Sequence, residues 1–109
     1  MARYGVRLTR GAEMDLQALH SYVSDARSKE DADALLDRIL EAVVTLERFP
    51  LRGAVPQELD ALGMREFRQL LVSPYRLIYR TVGDLVYIVV IADGRRDMQA
   101  FLERRLLGS

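Results

Sequence analysis

Gly83-Asp84 constrains this chain more than any other pair of residues. It separates two strand-like runs of eight, residues 75–82 and 85–92, and a glycine–aspartate pair in that setting marks a two-residue β-hairpin. The second run, Leu85-Val86-Tyr87-Ile88-Val89-Val90-Ile91-Ala92, is apolar on both faces, as expected of a central strand covered on both sides. Residues 66–72 read as a preceding strand, and Ser73-Pro74 turns the chain between it and Tyr75. A three-stranded antiparallel meander is therefore expected over residues 66–92.

Tight turns and unbroken pairing would fix its register. Arg76 then sits opposite Leu71 and Ile91, and Arg80 opposite Phe67 and Tyr87. Because side chains alternate across a sheet, one face holds Leu70, Val72, Tyr75, Leu77, Tyr79, Ile88 and Val90. The other holds Phe67, Gln69, Leu71, Arg76, Ile78, Arg80, Tyr87, Val89 and Ile91. That second face is half apolar and carries two arginines, so a partner segment, the last helix, or both must cover part of it. A bulge would slip the register by one residue.

The remaining chain is mostly helical in pattern. Residues 4–8 alternate as a short strand, and Thr9 offers an N-cap for a helix to about Asp25. Its apolar face is Ala12, Leu16, Leu19 and Val23, with Tyr22 alongside. Ser28-Lys29-Glu30-Asp31 reads as a capping box for a second helix, with Ala32, Leu35, Ile39, Val43 and Leu46 on one face. That helix runs to about Phe49, where Pro50 stops it. The short connection makes the two an antiparallel hairpin, acidic on its outer side. Residues 50–64, with Pro50, Gly53, Pro56 and Gly63, read as a loop. Residues 97–107 form a last helix, with Met98, Phe101, Leu102 and Leu106 inward. The expected class is α+β: an N-terminal strand, a helix hairpin packed on a three-to-four-stranded, mainly antiparallel sheet, and a short C-terminal helix. One domain is expected to span residues 1–109.

Composition excludes several classes. With 50% hydrophobic and 29% charged residues the chain is globular rather than disordered. It has no cysteine, which removes disulfide scaffolds, zinc knuckles and thiol nucleophiles, and its one histidine, His20, cannot form a histidine-rich metal site. No run of about 18 apolar residues is present to span a membrane, and the N-terminus lacks the apolar stretch of a signal peptide. A cytoplasmic location is expected. The net charge of zero hides an asymmetry: residues 1–62 carry 8 Lys+Arg against 11 acids, and residues 63–109 carry 8 Arg against 5 acids. Lys29 is the sole lysine. An arginine-rich half suits an anionic partner, or simply solvates the surface and pairs with the acidic helices.

Little catalytic chemistry is on offer. The candidates for proton transfer are His20, five tyrosines and the carboxylates, and His20 reads as an edge-of-core residue. Glu13 and Asp15 lie on different sides of their helix, and Asp31, Asp33 and Asp37 look like a solvated face. No Ser-His-Asp set, dinucleotide fingerprint or Walker pattern is legible. Gly94-Arg95-Arg96-Asp97 is a basic turn before a helix start, able to hold an anion or simply to supply the N-cap. The residues point to a binding protein, with no catalytic residue, metal or cofactor.

Four strings in order carry a resemblance: Phe49-Pro50, Gly63-Met64-Arg65-Glu66-Phe67-Arg68, Pro74-Tyr75-Arg76-Leu77-Ile78-Tyr79-Arg80, and Ile91-Ala92-Asp93-Gly94-Arg95-Arg96-Asp97-Met98. Together with the element order they resemble the RelE/ParE superfamily of bacterial toxins over about residues 4–107. The resemblance implies one of two activities. RelE-type members are ribosome-dependent ribonucleases, and ParE-type members bind and poison DNA gyrase. Both are held inactive by an antitoxin encoded beside them. The RelE-type pattern is matched by Arg76 on a strand and by Arg96, or Arg95, in the loop. It is departed from at Arg68 and Leu70, where a lysine pair belongs, and at Phe101 and Leu102, where a proton-transferring tyrosine belongs. The resemblance therefore implies a ParE-type gyrase poison, acting on the A subunit, with a RelE-type endoribonuclease as the alternative. Arg76, Arg80, Arg95 and Arg96 are the expected target contacts, Arg96 paired with Asp93 or Asp97 being the bland alternative. Phe67, Leu71, Ile78, Tyr87 and Phe101, with the sheet edge, are the expected site for a ParD-type antitoxin bearing an acidic C-terminal segment. Neither a membrane nor a small-molecule substrate is implied.

Overall fold

A computed structural model describes residues 3–108. Strand β1 (Gly5–Leu8) leads into helix α1 (Arg10–Ala26), and α2 (Lys29–Val44) returns antiparallel to it. The helix starts expected from sequence are made by side chains. Thr9 Oγ1 accepts the Ala12 N–H at 3.2 Å and Ser28 Oγ accepts that of Asp31 at 3.0 Å. Helix α2 ends earlier than its apolar stripe suggests. From Thr45 the chain tightens into a 3₁₀ turn over Thr45–Glu47. There the Thr45 hydroxyl donates to the Ala42 carbonyl at 2.6 Å, a local bond that competes with the helical ladder.

Strands β2 (Phe67–Val72), β3 (Tyr75–Val82) and β4 (Leu85–Asp93) form the meander, with β1 added parallel to β4. The order β1-β4-β3-β2 puts the doubly apolar strand inside a mixed sheet. From the Gly83-Asp84 turn the register runs as expected through Arg80↔Tyr87 and Tyr79↔Ile88. A bulge then leaves Val89 without a partner on β3, so Leu77 meets Ile91 and Arg76 meets Ala92 rather than Ile91. The expected faces of the last β4 residues are corrected accordingly. Ile91 lies with the helix hairpin and Val90 on the opposite face. The extra residue inverts the alternation, and both positions stay buried because both faces are covered.

Two cores result. The larger packs Ala12, Val23, Leu35, Ile39, Val43 and Leu46 of the hairpin on Leu70, Leu77, Tyr79, Val86, Ile88 and Ile91 of the sheet. Tyr22, expected beside that stripe, is 69% exposed. The second core lies on the other face. Helix α4 (Met98–Leu107) covers it with Met98, Phe101 and Leu102. The segment 50–64, expected to be loop, contributes as well: Gln57–Asp60 forms the short helix α3, which buries Leu59 completely. Four residues are too few for a helical period to show in the sequence.

Candidate functional site

The end of the sheet where β4 stops and β3 begins carries three of the four expected target arginines: Arg95 and Arg96 on the turn after β4, and Arg76 near the start of β3. Arg76 Nη1 and Nη2 donate to the two carboxylate oxygens of Glu58, each at 2.8 Å, and its Nε donates to Gln69 Oε1 at 2.7 Å. This is the forked pairing that a guanidinium makes best. The Arg76 side chain is 12% exposed. The bonds from Arg76 hold the Glu58 carboxyl below its ordinary 4.5, against an opposing effect of burial. Gly94 lets the chain pass close by, since a Cβ there would lie 2.7 Å from Arg76 Cδ.

The loop arginines behave differently. Arg95 pairs with Asp93, Nη2 to Oδ2 at 2.6 Å, with the Arg95 side chain 74% exposed. That bond, with the Arg95 N–H also donating to Oδ1, holds the Asp93 carboxyl below its usual range. Arg96 is exposed and stacks over the Phe101 ring, 3.9 Å from its centroid. Asp97 caps α4 by accepting the Ala100 N–H at 3.1 Å. Beside these arginines a groove of about 310 Å³ runs between α1 and the end of β4, with Leu19, Tyr22, Tyr75 and Ile91 among its walls.

Asp15 and Arg105 serve the same end of the sheet. β1 stops at Leu8, so β4 loses its neighbour beyond Ile88, whose carbonyl takes the Thr9 N–H. Asp15 Oδ2 accepts the Ile91 N–H at 3.0 Å, and Arg105 donates to the Val89 carbonyl at 3.0 Å. The two side chains then pair at 2.8 Å. Backbone groups that the bulge and the short β1 would leave unpaired are thereby satisfied.

Of the residues expected to meet an antitoxin, Phe67 and Ile78 are buried under α3 and α4 in the second core, and Phe101 is buried as part of α4. Leu71 is 68% exposed, and Tyr87 is half-buried. Arg80 is half-buried, with its guanidinium 5.5 Å from the Phe67 ring centroid. The outer edge of β2 is partly closed, because the Gln69 N–H donates to the Ala54 carbonyl at 2.8 Å and Arg68 holds the Gly53 carbonyl. Away from these groups, His20 pairs with Asp33 at 2.8 Å on the hairpin. Glu58, Asp15 and Arg105 escaped sequence reasoning, since each partner is remote in the chain and no spacing signals it. Among the described residues, no His, Asp and Glu cluster of three or more is arranged to hold a metal, and no helix is long and apolar enough to cross a membrane.

The family model for the ParE toxin of the parDE type II toxin–antitoxin system matches residues 6–98. The chain belongs to the ParE toxin family. Toxin ParE3 of Caulobacter vibrioides is 32% identical over 97 residues, covering 89% of this chain and 93% of that protein. A chain of the chromosomal ParDE toxin–antitoxin system from P. aeruginosa superposes with a TM-score of 0.71 at 26% identity, over 84% of this chain and 96% of that one. A chain of the RelBE2 toxin–antitoxin complex from Mycobacterium tuberculosis shares the fold, with a TM-score of 0.56 at 24% identity over 84% of this chain and 99% of that one. The resemblance read from the sequence thus resolves to its ParE branch. In this ParE-type toxin Arg76 is largely buried and paired with Glu58, Arg95 is exposed and paired with Asp93, and Arg96 is exposed and stacked on Phe101.

Proposed function

We propose that this ParE-type toxin acts in the cytoplasm by binding DNA gyrase, through its A subunit, and poisoning it without chemistry of its own. A ParD-type antitoxin with an acidic C-terminal segment neutralises it. The observation that carries this reading is the state of Arg76. A ribonuclease needs free positive charge at the scissile phosphate and a group to move a proton. Here the donors of Arg76 are taken up by Glu58 and Gln69, so a phosphate would have to displace a carboxylate that already neutralises the guanidinium. Phe101 and Leu102, where the proton-transfer residue would stand, are buried hydrocarbon. The turn between a sheet strand and a capped helix carries the groups best exposed to an acidic surface: Arg96, which has no carboxylate partner among the described residues, and Arg95, whose pair with Asp93 lies open to solvent.

The test uses purified toxin with gyrase and plasmid DNA, and in parallel with translating ribosomes and mRNA. Accumulation of gyrase–DNA cleavage complexes or loss of supercoiling, with mRNA intact, is the expected result. Ribosome-dependent mRNA cleavage at comparable toxin concentration would replace this reading with the RelE-type one.

A further inference from the structure

The register aligns four residues in one row across all four strands: Arg7 on β1, Tyr87 on β4, Arg80 on β3 and Phe67 on β2. Cross-strand partners project to the same side, here the face opposite the helix hairpin. Two guanidinium-bearing residues therefore flank one tyrosine. Strands lie about 4.8 Å apart, so the backbones of Arg7 and Arg80 are separated by about 10 Å. Leu106 of α4 and Val89 of the bulge are partly buried at the margin of the second core and supply apolar ground on this face.

Neither arginine forms an ion pair among the described residues. Arg7 is exposed, and its guanidinium reaches only the carbonyl of the adjacent Val6. Arg80 Nε is buried and makes no hydrogen bond, alone in this among side-chain nitrogens and oxygens of the described residues. An unsatisfied buried donor on a cationic group is costly, and most native proteins complete such a group.

We propose that this row receives the acidic segment of the antitoxin. One carboxylate draws the half-buried Arg80 side chain outward and pairs with its Nε–Nη fork, a second pairs with Arg7, and an apolar side chain between them rests on the Tyr87 ring. The identity of the partner rests on the toxin–antitoxin reading above; the chemistry of the row does not. A polypeptide fits better than nucleic acid. Phe67 is 5% exposed and cannot stack a base, which leaves one half-buried ring and two cations, too little for a stacking platform or a phosphate track.

The experiment titrates the whole toxin with the protein encoded by the neighbouring antitoxin gene, at low and high salt. The toxins are wild type, Arg7→Gln, Arg80→Gln and the double variant, each checked by thermal melting. Each single substitution is expected to weaken binding about tenfold or more, and the double variant to lose most of the salt dependence. A second readout needs no variant: in the isotope-labelled wild-type toxin, the Arg80 Nε–H resonance should shift and its exchange slow when the antitoxin binds. Unchanged affinity in the variants together with an unmoved Arg80 resonance overturns the row and leaves the antitoxin reading standing. A wild-type toxin that captures no antitoxin overturns that reading and the occupant proposed with it. Displacement of the antitoxin from this row by oligothymidylate would assign the row to nucleic acid instead.

Discussion

Arg76 on β3 and Glu58 on α3, 18 residues apart in sequence, are joined by two parallel hydrogen bonds of 2.8 Å. A helix of four residues has no stability of its own. This pair, the buried Leu59 and the hydrogen bond from the Gln99 side chain on α4 to the Glu58 carbonyl hold α3 in place, and with it one wall of the second core.

Acid should release that wall. Because Arg76 depresses the Glu58 pKa on folding, the pair's contribution is complete above the unfolded value near 4.5 and is lost as pH falls through the lower folded value. Melting temperature should therefore drop as pH is lowered below about 4.5, and Glu58→Gln should flatten that part of the curve. At neutral pH, Arg76→Ala should cost about 1–3 kcal/mol, since the pair is largely but not wholly removed from water. A melting curve of Glu58→Gln that falls in acid as steeply as wild type would contradict this account.

Asp15→Ala should cost about 2–4 kcal/mol, because it strands both the Ile91 N–H and the Arg105 guanidinium. Hydrogen exchange at the Ile91 amide is the direct measurement. It should accelerate at least about tenfold, more than amides in the middle of β3 do.

The contact between Gly53 and Tyr79 should be sensitive from either side. The buried Tyr79 hydroxyl accepts the Gly53 N–H at 3.0 Å, and a Cβ on residue 53 would lie 2.4 Å from the Gln69 carbonyl oxygen. Tyr79→Phe is expected to lose about 1–3 kcal/mol through the orphaned N–H. Gly53→Ala should lose more, because the clash is with backbone. Urea denaturation of the two variants gives both numbers on one scale.

Charge reversal at Arg95 and Arg96 should separate toxicity from stability. Their folded-state contacts are an exposed pair with Asp93 and a stacking contact on Phe101, worth about 0–1 kcal/mol each. The double change Arg95→Glu and Arg96→Glu should abolish growth arrest while lowering the melting temperature by no more than about 10 °C, with the transition still cooperative. Full toxicity of the reversed protein would remove these arginines from the target contact.

Much of the architecture was written in local chemistry. Gly83-Asp84 specified its hairpin, Thr9, Ser28 and Asp97 specified three helix starts, and the apolar stripe of Ala32, Leu35, Ile39 and Val43 specified which face of α2 is buried. Each signal acts within a few residues, where propensity, capping and periodicity decide the outcome. The arginines of the candidate site were equally visible as residue types, but their states were not. Arg76 is neutralised by a carboxylate on a helix too short to show a period, and Arg96 is not.

What tertiary structure alone decided are the relations between distant segments. The bulge at Val89 left no mark in the sequence, since Val90 and Ile91 are both apolar and either register would bury them. Asp15, on a helix that reads as ordinary surface, became an acceptor for the Ile91 N–H because β1 ends at Leu8 and exposes that edge. Turn spacing already set Phe67, Arg80 and Tyr87 in line, but Arg7 joins their row only because β1 pairs parallel with β4. No spacing in the chain encodes that alignment; it follows from strand order, which minimises unpaired backbone and uncovered hydrocarbon over the whole sheet at once.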